Sequence, residues 1–301
     1  MCVPDPSADV AQTVTDVFDV CVVGSANLDL VATTARLPRP GETVMGRDYA
    51  EHPGGKGLNQ AVSASRSGAR TAFVGALGTD AAAEQLRHVL ADERIDATGV
   101  VTVGVPTGRA MITVDDDGEN SIVVIPGANA TVSSEVRPPS ARVVLAQLEI
   151  PMDAVLAMLT AARTNGSTVI LNPAPAAPLS AELIATCDVI VPNEHELAQL
   201  GGAQRVLDAG CTTVVATLGG AGVDVHTRAG TTRVDAFDVT VVDTTGAGDA
   251  FCGALAARLA FGDEMIDAVR WATAAGALAT TVRGAVPAQP TGEAIAQLLA
   301  R

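Results

Sequence analysis

The chain has 301 residues, 34 of them acidic against 19 basic, for a formal net charge of −15. So acidic a surface repels phosphate backbones and anionic lipid, which argues against nucleic-acid and membrane partners. Hydrophobic residues reach 48% but aromatics only 2%, so the core must be Ala, Val and Leu, a composition suited to helices packed closely on a sheet.

Read in chain order, MCVPDPSADVAQTVTDVF has neither a basic stretch nor an apolar one, and residues 1–17 are expected to be a flexible polar tail, not a signal peptide. Phe18–Gly24 is a short apolar run ending in Gly-Ser, a buried first strand. In GSANLDL, which follows, Asn27 and Asp29 fall where open α/β sheets bind ligands, just beyond a strand's carboxyl end, or simply make a turn. Lys56–Ser67 reads as a helix, Thr71–Gly75 as a strand and Asp80–Asp92 as an amphipathic helix. Val143–Leu148, Thr168–Leu171, Val189–Val191 and Thr213–Thr217 are further strands, with a helix at Met152–Arg163. Beyond a strand ending at Val242 the pattern turns helical, over Asp249–Leu259, Asp263–Thr280 and Gly292–Leu299. This alternation predicts an α/β fold with a parallel sheet covered on both faces. Two segments break it. Leu28–Tyr49 has short β-like runs around LPRPGE, and Arg109–Ile125 reads as a hairpin turning at DDDGEN. Residues of about 28–50 and 104–126 are therefore expected to form a small second sheet, a lid or a dimerisation surface, on one main domain of 18–301.

Cys2, Cys21, Cys187, Cys211 and Cys252 are scattered and form no C-x-x-C. Neither a disulfide framework nor a structural zinc site is expected, and a reducing cytoplasm suits them. No apolar run reaches membrane-spanning length.

Chemistry concentrates in a few motifs. In VVDTTGAGDAFCGALAA, Val241–Ala257, a Gly-rich turn precedes an Ala-rich helix, so successive N–H groups of Gly246, Ala247, Gly248 and Asp249 can face a phosphate. Asp249 would then be placed to take a proton from an attacking hydroxyl; its bland alternative is an ordinary helix cap. The turn is no dinucleotide fingerprint, because Phe251 occupies the third Gly position, and no Walker A loop exists, because the only lysine, Lys56, is followed by Gly57. That lysine sits inside HPGGKGLNQA, where Gly55, Lys56 and Asn59 offer donors to hydroxyls or phosphate, or simply start a helix. Glu149 follows an apolar strand in LEIP, as do Asn193, Glu194 and Glu196 in VPNEHE. Asn193 and Glu196 share a helix face and suit Mg²⁺, often through water, although acids are also common at helix N-termini. His195 is expected on a solvated face, and Gln199 stands where a zinc-binding H-E-x-x-H would need its second histidine.

GSANLDL, PGGKGLNQA, PGAN, QLEIP, LNPAPA, PNEHE, TLGGAG and DTTGAGDAF occur in this order from about Asp19 to Pro290. Together they resemble the phosphofructokinase-B (PfkB) carbohydrate kinase superfamily and, within it, the ribokinase group. The resemblance implies a ribokinase-like three-layer α/β/α sandwich with a small β lid, often clasped into a homodimer. It implies ATP-dependent phosphorylation of D-ribose at the 5-hydroxyl. Asn27, Asp29, Gly55, Lys56, Asn59 and Glu149 would hold the sugar, with Asp249 as base and Gly246–Gly248 as anion hole. Asn193 and Glu196 would serve Mg²⁺. Thr217, Gly219, Gly222 and Gly248 would line the nucleotide site, with Thr273 near the adenine. A K⁺ site would draw on the Asp243 carboxylate and the carbonyls of Thr245, Ala279, Val282 and Gly284. The chain departs from the pattern twice. Between Asn193 and Thr217 it is shortened to one possible helix, Ala203–Ala209, which leaves the sheet edge in doubt. Ala288 stands where the group commonly has a hydroxyl for the monovalent cation.

Other acceptors remain open: adenosine or another nucleoside, which would want an aromatic or apolar shelf from a lid whose only aromatic is Tyr49; fructose; or a ketodeoxy sugar acid, for which Arg109 is the obvious partner. A non-catalytic sugar-binding regulator would be expected to lack the base.

Overall fold

β-Branched runs buried on both faces build the main sheet of the computed structural model, which describes residues 17–301; Cys2 and all of the predicted tail but Val17 lie outside the described residues. The chain opens with β1 (Phe18–Val23), β2 (Asn27–Thr34), β3 (Gly46–Gly54), α1 (Lys56–Arg66), β4 (Thr71–Leu77), α2 (Ala81–Asp92) and β5 (Asp96–Thr102). β6 (Gly108–Val114) and β7 (Asn120–Ile125) form the hairpin. There follow β8 (Ala141–Ala146), α3 (Met152–Thr164), β9 (Thr168–Leu171), α4 (Ala181–Thr186), β10 (Val189–Ile190), α5 (Glu194–Gln199), α6 (Ala203–Asp208) and β11 (Thr213–Thr217). The last third holds β12 (Val223–Thr227), β13 (Gly230–Val234), α7 (Ala247–Ala260), α8 (Met265–Ala279), α9 (Ala285–Ala288) and α10 (Gly292–Leu299).

Nine strands form the main sheet in the order β13-β12-β11-β10-β9-β8-β1-β4-β5. Along β1, alternate side chains enter different cores: Val20 and Val22 pack with α1 and α7, and Cys21 and Val23 with α3. From β1 the chain moves to β4 on one side and later to β8 on the other. The strand order therefore reverses between β1 and β8, the kind of place where α/β folds open a crevice.

Three expectations are corrected. The sheet is not wholly parallel: β12 runs antiparallel to β11 and β13 antiparallel to β12, an edge hairpin not expected from the sequence although Val223 and Val225 alternate with Asp224 and His226. No strand ends at Val242. Val241 and Val242 are exposed, and the N–H groups of Val242 and Asp243 both donate to the Thr280 carbonyl, so the β-branched pair has no neighbouring strand to join. The shortened stretch after Asn193 nevertheless forms two short helices, and β10 and β11 stay paired in parallel across it.

The two irregular segments form a second sheet of order β3-β2-β6-β7, in which β2 runs parallel to β6. Its boundaries differ from 28–50 and 104–126, since β2 begins at Asn27 and β3 extends to Gly54. Among the described residues the four cysteines are free and buried, and no helix is long and apolar enough to cross a membrane.

Candidate active site

The carboxyl ends of β1, β8, β9, β10 and β11 all point to one edge of the main sheet, and the chain places polar residues just beyond each. After β1, Ser25 donates to Glu149 Oε2 at 2.5 Å, and the Lys56 N–H donates to the same oxygen at 3.1 Å. Glu149 is thereby held by one oxygen while the other stays uncommitted. Asn27 is buried and accepts from Asn129 Nδ2 at 2.7 Å, which turns its own N–H₂ away from Asn129. Gly54 and Gly55 let β3 pass close by: a Cβ on Gly54 would fall inside the Asp29 carboxylate, and one on Gly55, whose φ is +90°, would meet the Asn27 nitrogen at 2.8 Å.

Of the expected sugar ligands only Asn59 hydrogen-bonds Asp249, and Asn27, Asp29, Gly55, Asn59 and Glu149 line neither of the two cavities beside it. Asp249 lies in the first turn of α7 and is 6% exposed. Asn59 Nδ2 and Gln60 Nε2 each donate to one of its carboxylate oxygens at 2.9 Å. Asn59 Oδ1 is buried with no partner among the described residues. Burial, with the charges of Glu149 and Asp249, pushes the Asp29 carboxyl up to about 7. Burial pulls the Lys56 ammonium down, but Asp249, Glu149 and Glu196 outweigh it and hold the lysine above its ordinary value, as a cation.

Two cavities meet at this point. The first, about 250 Å³, is lined by Lys56, Asn172, Asn193, Glu196, Gly246 and Asp249 among others. The second, about 530 Å³, runs along Gly219, Gly222, Phe237, Val239, Thr273 and Gly276. They share Thr217, Thr244 and Gly248 as a common wall. Gly246, with φ +75°, turns the chain into α7. The N–H groups of Gly246, Gly248 and Asp249 are uncommitted among the described residues. The Ala247 N–H is not, since it donates to Thr244 O at 3.3 Å, so the expected run of four free donors narrows to three.

Asn193 and Glu196 make a reciprocal capping box: Asn193 Oδ1 accepts from the Glu196 N–H, and Glu196 Oε2 from the Asn193 N–H, each at 2.8 Å. One carboxylate oxygen of Glu196 is left over. Burial raises the Glu196 carboxyl above the usual range. The oxygen left over on Glu196 beside Asn193 fits a magnesium that takes its remaining ligands from water and phosphate.

Asp243 lies outside both cavities. Its oxygens accept the N–H groups of Thr245 and Gly284 at 2.9 Å each. Burial would raise its carboxyl, but these bonds and Arg283 hold it below the usual range. The carbonyls of Thr245, Val282 and Gly284 accept no hydrogen bond among the described residues, while Ala279 O takes only a long one, 3.4 Å, from Val282. A carboxylate with uncommitted carbonyls nearby fits a large, weakly hydrated monovalent ion. Ala288 is buried against Ala250 and Ala279.

Ser25, Gln60, Asn129, Gln147 and Asn172 were not singled out from the sequence, though each lies within or beside a quoted motif. Their signal was a polar residue in an otherwise apolar strand end or helix face. The cavity wall at Ala236, Phe237, Val239 and Val241 had no such signal, because it is irregular chain.

The comparisons with known proteins point the same way. The family model described as "pfkB family carbohydrate kinase" matches residues 17–292. Ribokinase of Haemophilus influenzae is 38% identical, with 92% of this chain and 97% of that protein covered; the Staphylococcus aureus ribokinase is 35% identical, with 93% and 99% covered. Among solved structures, Thermotoga maritima ribokinase matches with a TM-score of 0.88 at 34% identity, covering 94% of this chain and 99% of that one. Arabidopsis thaliana ribokinase complexed with ribose and ATP matches with a TM-score of 0.86 at 32% identity, covering 94% and 99%. A site built at the joint of two cavities and a family match along nearly the whole chain agree, and the chain belongs to the pfkB family of carbohydrate kinases.

Proposed function

We propose that the protein transfers the γ-phosphoryl group of ATP to the 5-hydroxyl of D-ribose. The observation that carries this reading is Asp249, buried at the α7 N-terminus in the wall of the smaller, polar cavity and next in chain to Gly248, which that cavity shares with the larger one. Asp249 takes the proton of the primary hydroxyl as that oxygen attacks the γ-phosphorus in line; the bond to the ADP oxygen breaks, and ADP leaves with its electron pair. The N–H groups of Gly246, Gly248 and Asp249 and the Lys56 ammonium stabilise the transferring group. Magnesium, when bound with the nucleotide, would lie near Glu196 and Asn193 and offset phosphate charge. Asn27, Asp29, Gly55, Asn59 and Glu149 hold the sugar hydroxyls. Thr217, Gly219, Gly222 and Thr273 take the nucleotide, Thr273 lying in the wall with its hydroxyl donated to Val269 O. The second sheet, as a lid, keeps water from the phosphoryl group.

Geometry weakens the alternatives. In the paired strands, Tyr49 stands opposite Ala32 and Arg109 opposite Leu28, both on the sheet face that Asp29 does not share. The only lid aromatic therefore makes no shelf for a nucleobase, and Arg109 is paired with Asp80 at 3.1 Å instead of facing an acidic sugar.

A coupled ADP-release assay over ribose, fructose and adenosine tests the substrate: ribose should have the highest kcat/KM, and adenosine ahead of ribose would overturn it. The same assay at fixed ionic strength in potassium, sodium and an organic cation reads the Asp243 site. Potassium should activate, and Ala288→Ser should tighten its apparent affinity; equal rates in the three salts would remove the cation from the reaction.

Asp29 makes sugar binding pH-dependent. Its folded pKa lies above the unfolded one, so protonation favours the folded, empty site, and that contribution is lost as pH rises through about 7. Sugar hydroxyls donate to the carboxylate and favour its ionised form. The KM for ribose should therefore rise as pH falls below about 7, by up to roughly tenfold per unit. A KM that is flat between about pH 6 and 8 would rule Asp29 out as an ionised sugar ligand.

We also infer a homodimer through the second sheet. β7 is an edge strand of six residues, all exposed, and carries Ile122, Val123, Val124 and Ile125 beside exposed Met111. Val123→Glu should shift sedimentation toward monomer; an unchanged sedimentation coefficient, or a monomeric wild type, argues against this interface. A cytoplasmic setting is supported by the free thiols of Cys21, Cys187, Cys211 and Cys252, and cell fractionation is its test.

A further inference from the structure

Two buried side-chain amides hold the carboxylate of Asp249, and two more hold one of them. Asn59 and Gln60 touch the carboxylate from α1. Gln147, from the end of β8, donates its Nε2 to Gln60 Oε1 at 2.6 Å. Gln60 Nε2 donates to Asp249 Oδ1 at 2.9 Å and to Asn172 Oδ1 at 3.1 Å, and Asn172 Nδ2 donates to the Val191 carbonyl at 2.9 Å. Gln60 and Gln147 are both 0% exposed.

The orientation of each amide follows from its neighbours. A backbone carbonyl only accepts, so Asn172 must turn its Nδ2 to Val191 and its Oδ1 to Gln60. An ionised carboxylate also only accepts, so Gln60 meets two acceptors with its one N–H₂ group, and its own oxygen is left for Gln147. Reversing Gln60 would set its oxygen against both the Asp249 carboxylate and Asn172 Oδ1. Polar groups buried this deeply cost stability unless they are paired, and Gln147 Oε1 is left without a partner among the described residues. Apolar side chains would fill these positions at lower cost if they only supported the fold.

We propose that Gln60 is a positioning residue for the catalytic base: held by Gln147 and Asn172, its N–H₂ fixes Asp249 Oδ1 and so aims the carboxylate at the sugar proton. This rests on the reading of Asp249 as base. The titratable groups that face Asp249 are Asp29 from β2, Lys56 from α1, Glu196 from α5 and the Cys252 thiol from α7. Gln60 itself is neutral and acts through the donated hydrogen bond. A donated hydrogen bond favours a carboxylate over the carboxylic acid, so losing it from Gln60 should move the acid limb of the rate upward.

The test is kcat against pH at saturating Mg-ATP and ribose, in the full chain, for wild type, Gln60→Leu, Gln60→Glu and Asp249→Asn. With Gln60→Leu, the acid limb should move up by about one pH unit, and kcat on the plateau should fall by about tenfold because the carboxylate is no longer held in place, while the ribose KM changes less than about threefold. With Gln60→Glu, the introduced carboxyl can still donate while protonated, so activity should be highest at the acid end and fall as pH rises, because two adjacent carboxyls then share one proton. An acid limb in Gln60→Leu within about 0.2 units of wild type overturns the proposal, whatever the fall in kcat. Should the leucine variant fail to fold, the near-isosteric glutamate variant decides, and a profile parallel to wild type overturns the proposal equally. Near-normal turnover in Asp249→Asn would sink the base itself; an inactive Asp249→Asn with unmoved Gln60 profiles would sink only the role given to Gln60.

Discussion

Asp249→Asn should lower kcat by about a hundredfold or more while the ribose KM changes far less. The structure explains why the two effects separate. Gln60 can continue to donate to the remaining oxygen of the new amide. Asn59, whose Oδ1 has no partner among the described residues, can turn over and accept from the introduced N–H₂. The side chain therefore keeps its place and shape, and what disappears is the capacity to take a proton. Thermal unfolding should confirm the first half, with a destabilisation of no more than about 1 kcal/mol. Single-turnover measurement of phosphoryl transfer reads the second. A variant with near-normal turnover would reduce Asp249 to a polar residue in the first turn of a helix.

Gly253→Val should cost about 3 kcal/mol or more, through overpacking where α1 crosses α7. A Cβ at Gly253 would lie 2.5 Å from Ser63 Cβ and closer still to the Gln60 carbonyl oxygen. Ser63 also donates its hydroxyl to the Ala250 carbonyl at 2.7 Å, so the helices cannot separate without breaking that bond. Because α1 carries Asn59 and Gln60 and α7 carries Asp249, separation would also lengthen both 2.9 Å bonds to the base. The smaller Gly253→Ala should show the same two effects on a lesser scale, losing about 1–3 kcal/mol. Urea denaturation monitored with kcat measures both together. An alanine variant with an unchanged midpoint would show that the contact relaxes freely. One with a lowered midpoint but normal kcat would show that helix spacing does not govern the base.

The same helix pair shows where sequence reasoning stopped. Phe18–Val23, Lys56–Arg66 and Thr168–Leu171 were legible within a residue or two, because an apolar run or a Gly-rich start is carried by chain neighbours. Asp249 was legible as well, since a helix N-terminus after a Gly turn is a local arrangement. Val241 and Val242 misled for the same reason: a β-branched pair has the local character of a strand, but a strand needs a partner, and β13 already forms the edge of the sheet. Asn193 and Glu196 read equally as metal-binding or as a cap, and the structure builds a capping box while leaving one Glu196 oxygen over.

Sequence alone determined the alternating α/β plan, the acidic surface that forces phosphate recognition onto backbone N–H groups, and the order of the site motifs. Tertiary structure decided which side chains meet. Gln147 and Asn172 meet Gln60, and Gln60 meets Asp249, only because β1, β8 and β9 lie side by side and α7 packs across α1. It also decided that Tyr49 and Arg109 fall on the face opposite Asp29, because a strand's alternation says that neighbours differ in face but not which face covers the sugar. The division follows from the range of the forces involved. Periodicity and capping act over a few residues of chain, whereas a buried hydrogen bond between residues 60 and 249 exists only once sheet order and helix packing have brought them within 3 Å of each other.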